Sequence, residues 1–333
     1  MSGIGPWELL IIGAILCALV GVPVLVVVVL LVLFKKKQCG QGIGTGTMRA
    51  ALPALVFLGG FWALSVGVSA AGAETGEAKE TPEKVLAEMK KELGDGFQYR
   101  AVRCFAAASD ADPASFDRIA HFTLGDCYDA YEKQFFKTRP AQVYRVYLFK
   151  DDASYRKHAK ELFGSVPDTP FGYYLDSRRA LVMNIATGGG TLVHEMFHAL
   201  VRVDFPDIPA WANEGLGSLF EQCHVTDEGL VGLVNWRLPI LQDAIRKNEL
   251  PTLRKIMTVD DAAFYAARAG NYAGARYFMM YLQENRRLVD FYAKFRDNFK
   301  KDRTGVRFAE EVLGRKLEEV EPDWRKWVMG LKR

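Results

Sequence analysis

Two histidines four positions apart, with a glutamate directly after the first, are the residues of this chain whose types and spacing could do chemistry. They stand in "TLVHEMFHALVRVD" as His194, Glu195 and His198, among only five histidines in 333 residues. On a helix a separation of four is about one turn, so both imidazoles share a face and can reach one metal ion. Glu195 lies beside that face and cannot easily ligate the same ion, which suits a base acting on water held there. The neighbours Leu192, Val193, Met196, Phe197, Ala199, Leu200 and Val201 are apolar, as in a helix buried in a core.

A catalytic zinc takes three protein ligands and leaves a fourth position for water. The third ligand expected here is Glu214, in "PAWANEGLGSLFE" at the start of a second helix with apolar periodicity. Fifteen residues separate it from His198, and the prolines of "VRVDFPDIP" can turn the chain back between them. A carboxylate near a helix N-terminus is also favoured by the helix dipole alone. The histidine pair at this spacing favours ligation, so the expected centre is Zn²⁺ on His194, His198 and Glu214.

These side chains need elements to position them. Thr81-Pro82 caps a helix in which Val85, Met89 and Leu93 recur every four residues, and Gly94 closes it. Phe97 to Ala108 reads as a strand, Pro113 to Phe136 as a long helix, Val143 to Phe149 as a β-branched and aromatic strand, and Asp151 to Phe163 as a helix. Phe171 to Ala186 reads as two short strands around a turn at Asp176 to Arg178. Beyond Gly190 every long periodic segment is helical. Strands first and helices afterwards predict one α+β domain. Gly188-Gly189-Gly190 lacks the Lys and Ser/Thr pattern of a phosphate loop and reads as a hinge before the histidine helix.

The N-terminal region is different in kind. Leu9 to Phe34 is a run of 26 residues without a charge, followed by Lys35, Lys36 and Lys37. That length suits a transmembrane segment (1–37) with the lysines cytoplasmic. Residues 38–73 hold a second apolar run, Ala50 to Ala71, which is either a second span or, starting from Met48, a signal peptide cleaved near Ala71-Gly72-Ala73. Either way the chain is anchored in or passes the lipid bilayer. The polar linker 74–82 and the domain 83–333 then lie outside the cytoplasm, periplasmic or extracellular. With 43 basic and 40 acidic residues there is no field strong enough to imply a nucleic-acid partner. Cys104, Cys127 and Cys223 of the exported part permit one disulfide in any of three pairings, or none.

"HEMFHAL" followed by "WANEGLGSLFE" resembles the gluzincin metallopeptidases, most closely the peptidase MA-like domain, over roughly Tyr144 to Trp327. The resemblance implies an α+β thermolysin-like zincin core: a small mixed sheet with an edge strand over the zinc helix, then a mostly helical C-terminal lobe. It implies His194, His198 and Glu214 as zinc ligands, Glu195 as catalytic base, and an edge strand, here placed at Ala180 to Ala186, to which a peptide substrate adds. Members often carry an aspartate one turn after the glutamate ligand, bonding a histidine's outer nitrogen. Ser218 stands there in this chain, leaving Glu221, Asp204 or a backbone carbonyl for that task. For the oxyanion-holding residue the resemblance points to Tyr272, in preference to Tyr265 or Tyr277. His224 is set aside as too close behind Glu214 on the same helix. The function expected is a zinc metallohydrolase cutting peptide or protein substrates. The alternative is a non-catalytic, zinc-stabilised binding module of the cell envelope.

Overall fold

The structure, a computed structural model, describes residues 80–333. The two apolar runs and most of the linker lie outside these residues, and within them no helix is long and apolar enough to cross a membrane. Helix α1 (Pro82–Leu93) opens on Thr81, whose side chain accepts from the Lys84 N–H, and ends at Gly94 with φ +76°. The segment read as one strand from Phe97 is a hairpin, β1 (Gln98–Val102) and β2 (Phe105–Ser109). It turns at Arg103, which takes a positive φ of 54° without the glycine that would announce it.

The long helix expected from Pro113 is continuous but not uniform. It runs as α2 (Pro113–Arg118), a π-wound stretch from Ile119 to Cys127, and α3 (Tyr128–Gln134). Strand β3 (Tyr144–Phe149) and helix α4 (Asp152–Phe163), the latter capped by Asp151, follow as expected. Then come β4 (Gly172–Leu175) and β5 (Ala180–Asn184) around a turn at Asp176–Arg178.

The five strands form one mixed sheet in the order β1-β2-β3-β5-β4. β2, β3 and β5 run parallel, while β1 and β4 are antiparallel at the two edges. The edge strand beside the histidine helix is therefore β4, and the expectation that Ala180 to Ala186 forms it is corrected: β5 lies inside, between β3 and β4. Both faces are covered. Val143, Tyr147, Phe149, Ala180 and Val182 pack with Val85 and Met89 of α1 and Tyr155 and Ala159 of α4. Tyr144, Val146, Leu148, Leu181 and Met183 join the larger core of the helical part. Burial on both sides is why these strands read as continuous apolar runs.

Helix α5 (Gly190–Asp204) and helix α6 (Ala210–Leu219) carry the candidate ligands. A hairpin, β6 (Cys223–Thr226) and β7 (Gly229–Gly232), follows them where only helix was expected. His224 is thus on a strand and not on the helix of Glu214. The remainder is helical: α7 (Leu238–Arg246), α8 (Leu253–Thr258), α9 (Asp261–Ala266), α10 (Arg268–Glu284), α11 (Leu288–Asn298), α12 (Val306–Leu313) and α13 (Leu317–Gly330).

Helix α10 packs directly against α6. A Cβ on Gly215 would lie 3.2 Å from both the Ala275 carbonyl oxygen and Met279 Cγ, so the glycine permits the close approach. One turn on, the fully buried Arg276 donates to the carbonyls of Ser218 at 2.9 Å, Leu219 at 3.2 Å and Leu233, joining the end of α6 to the end of the hairpin.

Candidate metal centre

The sequence from Gly190 places both histidines on the inner face of α5, and the turn through Phe205 and Pro209 brings α6 back across them. Three atoms converge. His198 Nε2 lies 2.8 Å from His194 Nε2. Glu214 Oε2 lies 3.2 Å from the first histidine's Nε2 and 3.6 Å from the second's. Four ligands around an ion with bonds of about 2.0–2.1 Å stand about 3.3 Å apart, so the spacing fits tetrahedral coordination. Glu214 sits a full turn inside α6, so it is not the terminal carboxylate that a helix dipole alone would favour.

The outer nitrogens decide what this cluster needs. His198 Nδ1 lies 2.8 Å from Asn213 Oδ1, an acceptor, so it carries the proton and leaves Nε2 as a lone pair. His194 Nδ1 lies 3.1 Å from Glu221 Oε1, outside hydrogen-bond geometry but close enough for the carboxylate to favour the proton on that nitrogen. Glu214 Oε2 is buried and receives no hydrogen bond. Three lone pairs facing one point require a cation between them, either a proton or a metal ion. Burial alone would lower the His194 value, yet Glu214, Glu221 and Glu195 overcome it and push it up to about 10. Burial would raise the Glu214 carboxyl, but the two histidines hold it well below the usual carboxylate range. The buried group His194, His198 and Glu214 can thus bind a metal ion.

Two glycines make room for this arrangement. A Cβ on Gly217 would stand 3.2 Å from His198 Cε1 and 3.3 Å from two ring carbons of His194, so both imidazoles lean on that position. A Cβ on Gly190 would fall 2.1 Å from the Glu221 carbonyl oxygen. Gly190 is a packing contact that seats Glu221 against α5, while Gly188 takes a positive φ of 99°.

Glu221 is therefore the partner of His194. Its other oxygen accepts from Asn235 Nδ2 at 3.2 Å and pairs with Arg237. Asp204 serves elsewhere, accepting from the Lys137 and Thr138 N–H groups, the Tyr292 hydroxyl and Arg296.

Glu195 Oε2 accepts from the Tyr174 N–H of β4 at 3.1 Å, which ties this carboxylate to the sheet edge. In β4 the Phe171 side of the ladder bonds β5 through the Asn184 N–H to the Phe171 carbonyl at 2.8 Å. Alternate residues Gly172 and Tyr174 consequently face away from β5. A cleft of about 890 Å³ opens there, lined by Tyr173, Thr191, His194, Glu195, Glu221, Trp236, Arg237 and Tyr272 among others.

Tyr272 thus reaches the cleft as expected, whereas Tyr277 is buried in the core against Asn235. Sequence reasoning passed over Tyr265, whose hydroxyl donates to Glu214 Oε1 at 3.0 Å. Asn213 and Arg237 were also missed. Asn213 directly precedes Glu214, and a polar side chain there was the available signal. His121 is exposed, and His158 packs between the rings of Phe97 and Phe149, so neither joins the site.

Fold and site together define a mixed α+β protein with a buried His-His-Glu group able to hold a metal ion. No protein-family model matches the sequence, and a search of curated proteins returns no relative.

Proposed function

We propose that this chain is a zinc-dependent hydrolase acting on peptide bonds outside the cytoplasm, tethered or exported by its N-terminal segment. The observation that carries the reading is the convergence of three lone-pair donors, two buried and one half-buried, beside Glu195, a carboxylate that is not one of them. An N, N, O donor set suits zinc. When bound, the metal would polarise a scissile carbonyl and acidify water at its open position. The protein's own residues supply the rest. The Tyr174 N–H fixes one Glu195 oxygen, so the carboxylate is aimed before substrate arrives. Glu195 then takes a proton and delivers it to the leaving amine. Tyr272, which lines the cleft, is the residue we assign to hold the developing oxyanion. The outward-facing edge of β4 suits an extended peptide adding beside it.

The test is Glu195→Gln, which keeps size and removes the base. Zinc content and melting temperature should stay as in wild type while peptide turnover falls by at least ~10²–10⁴-fold. Tyr272→Phe should cost about 10–10³-fold. Equal behaviour of wild type and Glu195→Gln toward every peptide of a broad library, with zinc bound in both, would replace the hydrolase by a zinc-stabilised binding module.

A further inference from the structure

Cys127 and Cys223 come from segments almost a hundred residues apart that the fold clasps together, and both are free thiols. Cys127 closes the π-wound stretch and is fully buried. Cys223 opens β6 two residues past Glu221 and lines a second cavity of about 750 Å³, walled by Phe122, Val193 and Phe220.

The two segments are clasped together. Gln134 of α3 accepts from the Leu230 N–H at 2.9 Å and donates to the Leu230 carbonyl at 3.2 Å. Lys133 bonds the Asp227 carbonyl at the hairpin's tip. Within the hairpin Leu230 pairs with Val225, and Gly232 with Cys223. Stepping back from Gln134 by two helical turns, and from the Leu230 pair by two strand residues, leads to the two cysteines. Those steps are about 10 Å and about 7 Å, which brings the two cysteines to the same end of the clasp, where their side chains interact. Cys104 lies away from this contact, beside Tyr128, and burial pushes its thiol up to about 12.

We propose that Cys127 and Cys223 form an oxidation site, closing as a disulfide in the presence of a disulfide oxidant while Cys104 stays reduced. The step is thiol–disulfide exchange with a reagent such as oxidised glutathione. The Cys223 thiolate, reachable from the cavity, attacks one sulfur of the oxidant and expels the other half as a thiolate. Cys127 then attacks the Cys223 sulfur and displaces the second half. Two protein thiols lose two protons and two electrons, and the oxidant's disulfide becomes two thiols. The order of attack has its own support: the hydrogen bond from Cys127 holds the Cys223 thiol below its ordinary value while that of Cys127 is raised. The bond would fasten the start of β6, directly behind Glu221, to the segment packed along α5.

The experiment uses the full chain, split between excess dithiothreitol and oxidised glutathione, trapped with N-ethylmaleimide and mapped by mass spectrometry without reduction. The oxidised sample should yield a Cys127–Cys223 cross-linked peptide with Cys104 alkylated. Its melting temperature should exceed that of the reduced sample by about 5–10 °C, as expected for closing a loop of about a hundred residues. Cys104→Ala should preserve that difference and Cys223→Ser should abolish it. A bridge that engages Cys104, or full alkylation of both Cys127 and Cys223 in the oxidised wild type, overturns the proposal.

Discussion

Replacing Gly217 by alanine places one methyl group between the two imidazoles of the candidate metal centre. Its Cβ would sit 3.2–3.3 Å from three ring carbons of His194 and His198, where ordinary contact begins at 3.4 Å. Each ring must give way by a few tenths of an ångström, and both rings are held from behind by Asn213 and Glu221. Metal bonds tolerate about 0.2 Å. The displacement therefore weakens coordination by an amount like that of losing an outer hydrogen-bond partner, about 10–100-fold. The same change favours the fold, because alanine inside a helix is better than glycine by up to about 1 kcal/mol. Metal affinity and metal-free stability should thus part company. Zinc affinity, read by competition with a fluorescent chelator, falls 10–100-fold. The urea midpoint of the metal-free protein stays within about 1 kcal/mol of wild type. Undiminished zinc affinity in Gly217→Ala would show that the imidazoles do not depend on that position, and the assigned centre would be wrong in its geometry.

Tyr265→Phe removes the hydroxyl on Glu214 Oε1 from a ring that is 43% exposed, so zinc affinity should fall about tenfold in the same competition assay with the circular dichroism spectrum unchanged. Asp204→Ala removes the buried carboxylate of Arg296, leaving it only the more exposed carboxylate of Asp297, and strips the acceptor of Tyr292, Lys137 and Thr138, so it should cost about 3–5 kcal/mol in urea unfolding. Glu221→Gln should show a pH-dependent loss. Burial would raise the Glu221 carboxyl, but His194 and Arg237 hold it below its ordinary value of 4.5. A depressed carboxylate stabilises the fold above that ordinary value and loses its contribution as pH falls through the native one. The stability gap between wild type and Glu221→Gln, from urea midpoints between pH 3 and 7, should therefore be full near neutrality and close on acidification. A gap that widens toward pH 3 would contradict the assignment.

What could be read beforehand was local. Thr81-Pro82 and Gly94 bracket α1, Asp151 starts α4, and the spacing of His194 and His198 puts both rings on one face, because each depends only on neighbours within a turn or two. What escaped depends on partners far away. Whether β4 or β5 is the sheet edge is settled by pairing with β3, although the continuous apolar run Ala180 to Met183 already suits an inner strand better than Gly172 to Leu175 does. Arg103 turns a hairpin without a glycine. The partner of His194 is narrowed by the sequence to Glu221, Asp204 or a carbonyl and chosen among them by how the hairpin folds back. Tyr265 is brought to Glu214 by α9, where spacing to the histidines says little. The β6–β7 hairpin was the recoverable omission: "HVT" and "LVG" flank "DEG", a turn between two β-branched segments.

The buried guanidinium of Arg276 has a bearing on how this protein can be divided. Every candidate ligand and both histidine partners lie between His194 and Glu221, so a fragment ending at Val234 would contain all three candidate ligands and the partners of both histidines. It would lack α10, and with it the cation that gathers the carbonyls of Ser218, Leu219 and Leu233. Those acceptors would turn to water, the end of α6 would fray, and Glu221, the next residue but one, would lose its seat beside His194. Possession of the ligands and possession of the site are thus encoded in different stretches of the chain, and the helical C-terminal part is a component of the metal centre to which it gives no ligand.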